Sequence, residues 1–191
     1  MTNLLIFAGS ARRDSFNKKL AAVAAERARA LGANVELIDL ADYSMPLFNE
    51  DLEQDEGAPA TVTALRNKMI AADGLLLACP EYNGSITPLL KNVLDWTSRP
   101  EGKSVAPMAA YRGKVAAIVS ASPSPLGGLR GLVHVRAILS SLGVLVVPGD
   151  VAVGSAFKAF GENGRLLDDK IDQRLDATVA ALVRTADALK T

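Results

Sequence analysis

The chain has 191 residues, 49% of them apolar, with 21 Lys and Arg balancing 21 Asp and Glu. That length and apolar share suit one folded domain over residues 1–191 rather than a disordered chain. The zero net charge lacks the basic excess of a nucleic-acid binder, and the single cysteine excludes an intramolecular disulfide and fits a reducing compartment.

The N-terminal apolar run, Leu4 to Ala8, is too short for a signal peptide. It reads as the first buried strand, "NLLIFA" over 3–8. Residues 15–31 follow with Leu20, Val23, Ala24, Ala28 and Leu31 at helical spacing, closed by Gly32. "NVELIDL" (34–40) alternates as a second strand. Residues 41–58 are acidic and irregular and are expected to form a surface loop, and 59–72 a helix opened by Pro59. "DGLLLACP" (73–80) is a continuous apolar run, as in a strand buried on both faces. Thr87 and Pro88 supply an N-cap and first position for a helix that closes before Pro100. "KVAAIVSAS" (114–122) is the fourth strand. Residues 115–129 lack charge, but Pro123 and Pro125 and their short length exclude a membrane span. A helix over 127–142 carries Leu129, Leu132, Val133, Arg136 and Leu139 and ends at Gly143. "VLVVPGDVAV" (144–153) is a fifth strand region with a break at Pro148-Gly149, and 167–189 a closing helix. Strand and helix thus alternate five times, which predicts an α/β fold with a parallel sheet covered on both faces.

In such a sheet, ligands bind beyond the carboxyl ends of the strands, where strand order reverses. "GSARRDSFN" (9–17) lies at the first such end. The free N–H groups of a first helical turn favour an anion, Ser10, Ser15 and Asn17 add neutral donors, and Arg12 adds a fork for phosphate. The competing reading is that Asp14 or Ser15 caps the helix and the arginines are solvated. Their concentration on one turn favours an anion site. Four hydrogen bonds to a charged group are worth about 6–12 kcal/mol before association costs. No G-x-G-x-x-G occurs, and "GKS" at 102–104 is no phosphate loop, since position 97 is threonine and no strand precedes it.

"CPEYNGSITPLLKNVLDW" (79–96) follows the third strand. Asn83-Gly84 would suit a hairpin turn, but a helix start follows it, so a tight ligand loop shaped by Pro80 and Gly84 is expected instead. Tyr82 can pack on a planar ring. Glu81 can accept a bond from a ligand or pair with a partner's arginine. "SASPSPLGGLR" (120–130) brings Ser120 and Ser122 to the same edge. The first loop suits a phosphate and the other two a flat ring, as in flavin mononucleotide (FMN).

"GSARRDSFN", "PEYNGSITPLLKNVLDW" and, more weakly, "GGLRGLVHVRAIL" resemble three motif blocks of the NAD(P)H-dependent FMN reductases, at matching spacing along almost the whole chain. That family includes quinone, chromate and azo-dye reductases. The resemblance implies a flavodoxin-like doubly wound sheet of five strands in order 2-1-3-4-5. It implies that Ser10, Arg12, Ser15 and Asn17 hold the phosphate with Phe16 nearby. Pro80, Glu81, Tyr82, Asn83 and Gly84 would border the ring, with Ser122 or Ser120 opposite. It implies a homodimer or homotetramer, with the helices opening at Thr87 and Gly127 as contact surfaces. Ser124 stands where the family often has glycine, and Gly84 where some members carry an aromatic residue.

The expected activity is transfer of hydride from NADPH or NADH to flavin N5, then reduction of a quinone-like acceptor at the same face, in ping-pong order. No protein group is expected to be catalytic. The alternatives are a flavodoxin-like electron carrier, which is usually acidic, and a receiver-type domain, which needs carboxylates where this chain has Ala8, Gly9 and Ser10. One histidine, one cysteine and no G-x-S-x-G exclude hydrolase and zinc chemistry. His134 is read as a helix surface or interface residue, Cys79 as a buried thiol, and Arg130 as a candidate for an NADPH 2′-phosphate.

Overall fold

A computed structural model describes residues 1–161 and 165–190. In chain order the elements are β1 (Asn3–Ala8), α1 (Phe16–Ala30), β2 (Asn34–Ile38), α2 (Glu50–Glu56), α3 (Ala60–Ala71), β3 (Gly74–Ala78), β4 (Glu81–Tyr82), β5 (Ser85–Ile86), α4 (Pro88–Ser98), β6 (Val115–Ala121), α5 (Leu129–Ser141), β7 (Leu145–Val146), β8 (Val151–Val153) and α6 (Asp169–Ala188).

The main sheet is parallel in the order β2-β1-β3-β6-β7, with β8 also paired to β6. Counting β7 and β8 as one strand interrupted at Pro148-Gly149 gives the expected 2-1-3-4-5. β3 and β6 are buried at every residue, so their continuous apolar runs have a direct cause: helices cover both faces. The side-chain period of two separates the faces. Leu4 and Ile6 pack with Leu20, Ala24, Val179 and Leu182 of α1 and α6. Leu5 and Phe7 pack with Leu65, Leu90, Val93 and Leu132 of α3, α4 and α5. No helix among the described residues is long and apolar enough to cross a membrane.

Two local expectations are corrected. Residues 41–58 are not wholly irregular: a 3₁₀ turn covers Leu40–Asp42 and α2 covers Glu50–Glu56. α2 buries none of its residues, so it leaves no apolar period to read. It stands on the Asn49 cap, whose Oδ1 accepts from Asp51 N at 2.8 Å, on acids in its first turn, and on the Glu53–Arg99 ion pair at 2.8 Å. The second correction concerns Asn83-Gly84, which is a hairpin turn after all. Glu81 pairs with Ile86 and Tyr82 with Ser85, antiparallel, and the two turn residues have φ of 51° and 79°. The helix start at Thr87 excluded a long second strand but not a two-residue one.

The ends of β1, β3 and β6 meet at one edge. Ala8 is level with Ala78, and Ala78 with Val119. β1 has β2 on one side and β3 on the other, so strand order reverses between β1 and β3.

Candidate functional site

Three loops leave this edge: 9–15 after β1, 79–87 around the hairpin, and 122–128 after β6. They are tied to one another. Gly9 N–H donates to Ala78 O at 2.8 Å, and Thr87 Oγ1 donates to Gly9 O at 2.7 Å while accepting from Leu90 N as the α4 cap. A Cβ on Gly9 would lie 3.0 Å from Leu90 Cβ and 3.3 Å from Pro80 Cδ, so a side chain there would press the first loop away from α4. Pro80 is buried in that contact. Thr87 was legible as a cap; its hold on Gly9 carries no sequence signal.

In the first loop Ser15 is the α1 N-cap by backbone conformation, yet its side chain makes no cap hydrogen bond. No acid stands in the first turn of α1. The first-turn N–H groups and the Ser15 hydroxyl therefore face the loop without a competing carboxylate. Ser10 is nearly buried, and its Oγ accepts from Arg12 N at 3.3 Å, leaving its own proton to donate. Arg12 makes no ion pair among the described residues, and its guanidinium carbon lies 5.9 Å from the Phe16 ring centroid, with Lys19 Nζ at 5.8 Å. Phe16 stacks on Phe160 at 6.5 Å and 3°.

Asn17 differs from the expected side-chain anion donor. It is buried, its Nδ2 donates to Ala121 O at 2.8 Å, and its Oδ1 accepts from Ala121 N at 3.0 Å. It fastens the start of α1 to the end of β6, so one amide N–H is committed to Ala121, while its main-chain N–H lies in the first turn of α1.

The Glu81 carboxylate is paired within the chain. Its Oε1 accepts from Arg130 Nε at 2.9 Å and Nη2 at 2.7 Å, and its Oε2 accepts from Gly131 N at 3.0 Å. The arginine is the chain's own. Burial acts to raise the Glu81 pKa, but the Gly131 N–H and the Arg130 guanidinium outweigh it, and the net shift is downward. Arg130, so engaged, is a poor candidate for a free 2′-phosphate ligand. His134 Nδ1 lies 2.9 Å from Ser85 Oγ, which ties α5 to β5. Tyr82 is 55% exposed at the hairpin, next to Asn83 and Gly84.

At the end of β6 the two serines part. Ser122 is half-exposed, and its Oγ accepts from Ser124 N at 3.2 Å. Ser120 is fully buried, with no partner for its Oγ among the described residues, beneath Gly128, where a Cβ would come within 2.0 Å of that oxygen. Ser120 is thus closed off from a ring. Gly128, with φ of 89°, is the glycine this packing needs. Ser124 does not have a positive φ, so serine is unstrained there.

Cys79 is buried at the end of β3, and burial pushes its thiol pKa far up, so it is an inert thiol. Two surface hollows open on the described residues, the second touching the third loop at Pro125. One, of about 820 Å³, runs between α1 and α6 past Lys19, Arg27, Asp172 and Asp176; the other lies by Ala152–Ser155 and Ile171. No expected site residue lines either, and Arg27 is already neutralised by Asp172 and Asp176.

Residues 2–158 match the family described as NADPH-dependent FMN reductase. An NAD(P)H-dependent FMN reductase of Pseudomonas aeruginosa is 40% identical over 182 residues, covering 94% of this chain and 92% of the relative. The chain belongs to the NADPH-dependent FMN reductase family. It is an NAD(P)H-dependent flavin oxidoreductase, with FMN as cofactor and NAD(P)H as donor. An NAD(P)H:quinone oxidoreductase of Solanum tuberosum is 36% identical over 95% of this chain and 91% of its own. Among solved structures, the flavoenzyme FerB, an NAD(P)H:(acceptor) oxidoreductase from Paracoccus denitrificans, superposes with a TM-score of 0.82 at 28% identity, covering 98% of each chain. The sheet of this FMN reductase is flavodoxin-like. Its first loop fits the phosphate of FMN: a helix start without a side-chain cap, the Ser15 hydroxyl and an Arg12 with no ion pair among the described residues are a donor set without an acid in the helix's first turn.

Proposed function

We propose that this chain reduces quinone-like acceptors, with FMN held at the β1/β3 switch point. In this reading Ser10, Arg12 and Ser15 hold the phosphate together with the main-chain N–H groups of Phe16 and Asn17. Pro80 and the hairpin residues Glu81, Tyr82, Asn83 and Gly84 border the ring, Glu81 through its main chain, and Ser122 lies opposite with Ser120 as support beneath. When bound, FMN supplies the redox chemistry, its N5 accepting hydride from NADPH or NADH and the reduced ring passing electrons to the acceptor in ping-pong order. The chain's part is to bind, orient and polarise: N–H groups of the hairpin turn are the donors for negative charge on the ring.

The observation that carries this reading is the α1 start, where the Ser15 side chain makes no cap hydrogen bond, beside Arg12, which has no ion pair among the described residues. The quinone acceptor is supported by the relatives' names. A homodimer or homotetramer is supported by the exposed Leu129 and Val133 on α5 and Leu126 just before it, more than by α4. We assign the chain to the cytoplasm on its single cysteine, which fits a reducing compartment.

The deciding experiment adds FMN to the purified protein, removes the excess, and titrates anaerobically with NADPH and NADH while following visible absorbance. Yellow protein that bleaches, with parallel double-reciprocal lines against a quinone, supports the reading. Yellow protein that does not bleach would make it an electron carrier, and intersecting lines would remove ping-pong order. Colourless protein would remove the first-loop site. Chromate and azo dyes belong in the same acceptor screen, and light scattering settles the oligomer.

A further inference from the structure

The β4–β5 hairpin forms its own two-stranded sheet and does not pair with the main one. Among the described residues, every hydrogen bond made by a hairpin side chain ends on α5: Glu81 on Arg130 and Gly131, and Ser85 on His134. The backbones are also close. A Cβ on Gly131 would lie 3.3 Å from Ser85 O and 3.5 Å from Glu81 Cβ, so glycine there lets α5 lie directly against both strands. The Glu81 side chain is 8% exposed, whereas that of Arg130 is 60% exposed. The carboxylate is thus the fixed point and the guanidinium its outer clasp. A two-stranded hairpin is marginal alone in water, so its position depends on what it is docked to.

We propose that α5 is the latch that sets the hairpin, and that Arg130, acting through Glu81, is a positioning residue for the flavin ring. The hairpin's place beside the ring rests on the reading given above; its attachment to α5 does not. The Arg130–Glu81 contact is a bidentate, charge-assisted pair whose geometry lysine cannot reproduce. Loss of the clasp frees Tyr82 to Gly84 without touching the phosphate loop.

The test compares Arg130→Ala, Arg130→Lys, Glu81→Gln and the Arg130→Ala/Glu81→Gln double variant. Hydrogen exchange is measured first on the FMN-free chains. Amides of residues 81–86 are expected to exchange about tenfold faster in Arg130→Ala, with β1, β3 and β6 unchanged. The double variant should be no worse than the worse single one, because both remove the same contact. On FMN-loaded protein, Arg130→Ala should keep the cofactor, move its visible band, and slow bleaching by NAD(P)H about tenfold at unchanged KM. Arg130→Lys should recover only part of each effect. Unchanged hairpin exchange in Arg130→Ala, or effects that multiply in the double variant, would overturn the latch. A loosened hairpin with an unmoved flavin band would overturn the positioning role. Failure of the unmodified chain to bind FMN would sink the site reading, while the exchange data would still decide the latch. Should Arg130→Ala fail to fold, Ser85→Ala removes only the outer contact to His134, and unchanged 81–86 exchange there and in Glu81→Gln would equally overturn the proposal.

Discussion

Ser15 and Asn17 sit two residues apart and do opposite work. A serine that caps a helix is worth about 1 kcal/mol to the fold. Ser15 occupies that position without making the bond, so Ser15→Ala should cost the FMN-free protein less than about 0.5 kcal/mol in urea denaturation. The same change should weaken FMN binding about tenfold, one charge-assisted hydrogen bond. A stability loss as large as a cap's, with FMN affinity unmoved, would return Ser15 to an ordinary structural role. Asn17 predicts the reverse ranking. Its amide closes both the N–H and C=O of Ala121 at the end of a buried strand. Asn17→Ala leaves both buried groups open, and the denaturation midpoint should report a loss of about 2–4 kcal/mol. The difference between these residues was not legible in the sequence. Both are small polar residues at a helix start, and the partner that distinguishes Asn17 lies 104 positions away. Glu81 was unreadable for the same reason, since a carboxylate before a turn does not announce Arg130, 49 positions on.

Elements were legible in proportion to what they bury. β1, β3 and β6 are apolar runs because both faces are covered, and the α1, α4 and α5 patterns follow their one buried stripe. α2 buries nothing, and the hairpin strands are two residues each, too short for a period of two to show. The hairpin's Asn-Gly signal was present at Asn83-Gly84 and was outweighed by the helix start behind it. Because an ion pair helps to hold this element, beside the packing of Ile86 on the core, it carries a pH signature. The Glu81 carboxyl has its pKa lowered in the folded chain by hydrogen bonds that overcome burial. Its stabilisation is therefore complete above the ordinary carboxylate pKa and is lost as pH falls through the depressed folded value. Exchange of the 81–86 amides, corrected for the intrinsic rate, should accelerate relative to β3 as the pH drops below about 4. Glu81→Gln, which cannot titrate, should flatten that dependence. A pH-independent ratio in the unmodified protein would mean that the Glu81 carboxylate does not hold the hairpin.

At the scale of the molecule, the two core clusters share the strands between them. Leu4, Ile6 and Leu76 face α1 and α6, while Leu5, Phe7, Leu75 and Leu77 of the same strands face α3, α4 and α5. Neither face can be stripped without exposing alternate residues of β1 and β3 to water, so the chain should unfold as one cooperative unit. The protein has one tryptophan to test this. Trp96 is buried, its Nε1–H donates to Pro46 O at 2.8 Å, and Phe48 meets its ring edge-on at 5.0 Å. It reports on α4 and the 46–48 segment, whereas far-ultraviolet dichroism reports on all the helices. The two urea transitions should coincide. A tryptophan transition at lower urea would show that the α4 face separates from the α1/α6 face, and the assignment of 1–191 to one domain would fall. FMN then provides a second constraint. Its proposed ligands come from the loops after β1, β3 and β6, which exist together only when the whole sheet is formed. A ligand bound only by the native chain at about 100 times its Kd adds about 2.7 kcal/mol. Both probes should therefore move to higher urea together and by the same free energy. If dichroism moved and tryptophan fluorescence did not, the cofactor would be stabilising one face alone, and a site spanning the β1/β3 switch point, which α4 opens beside, could not be the one it occupies.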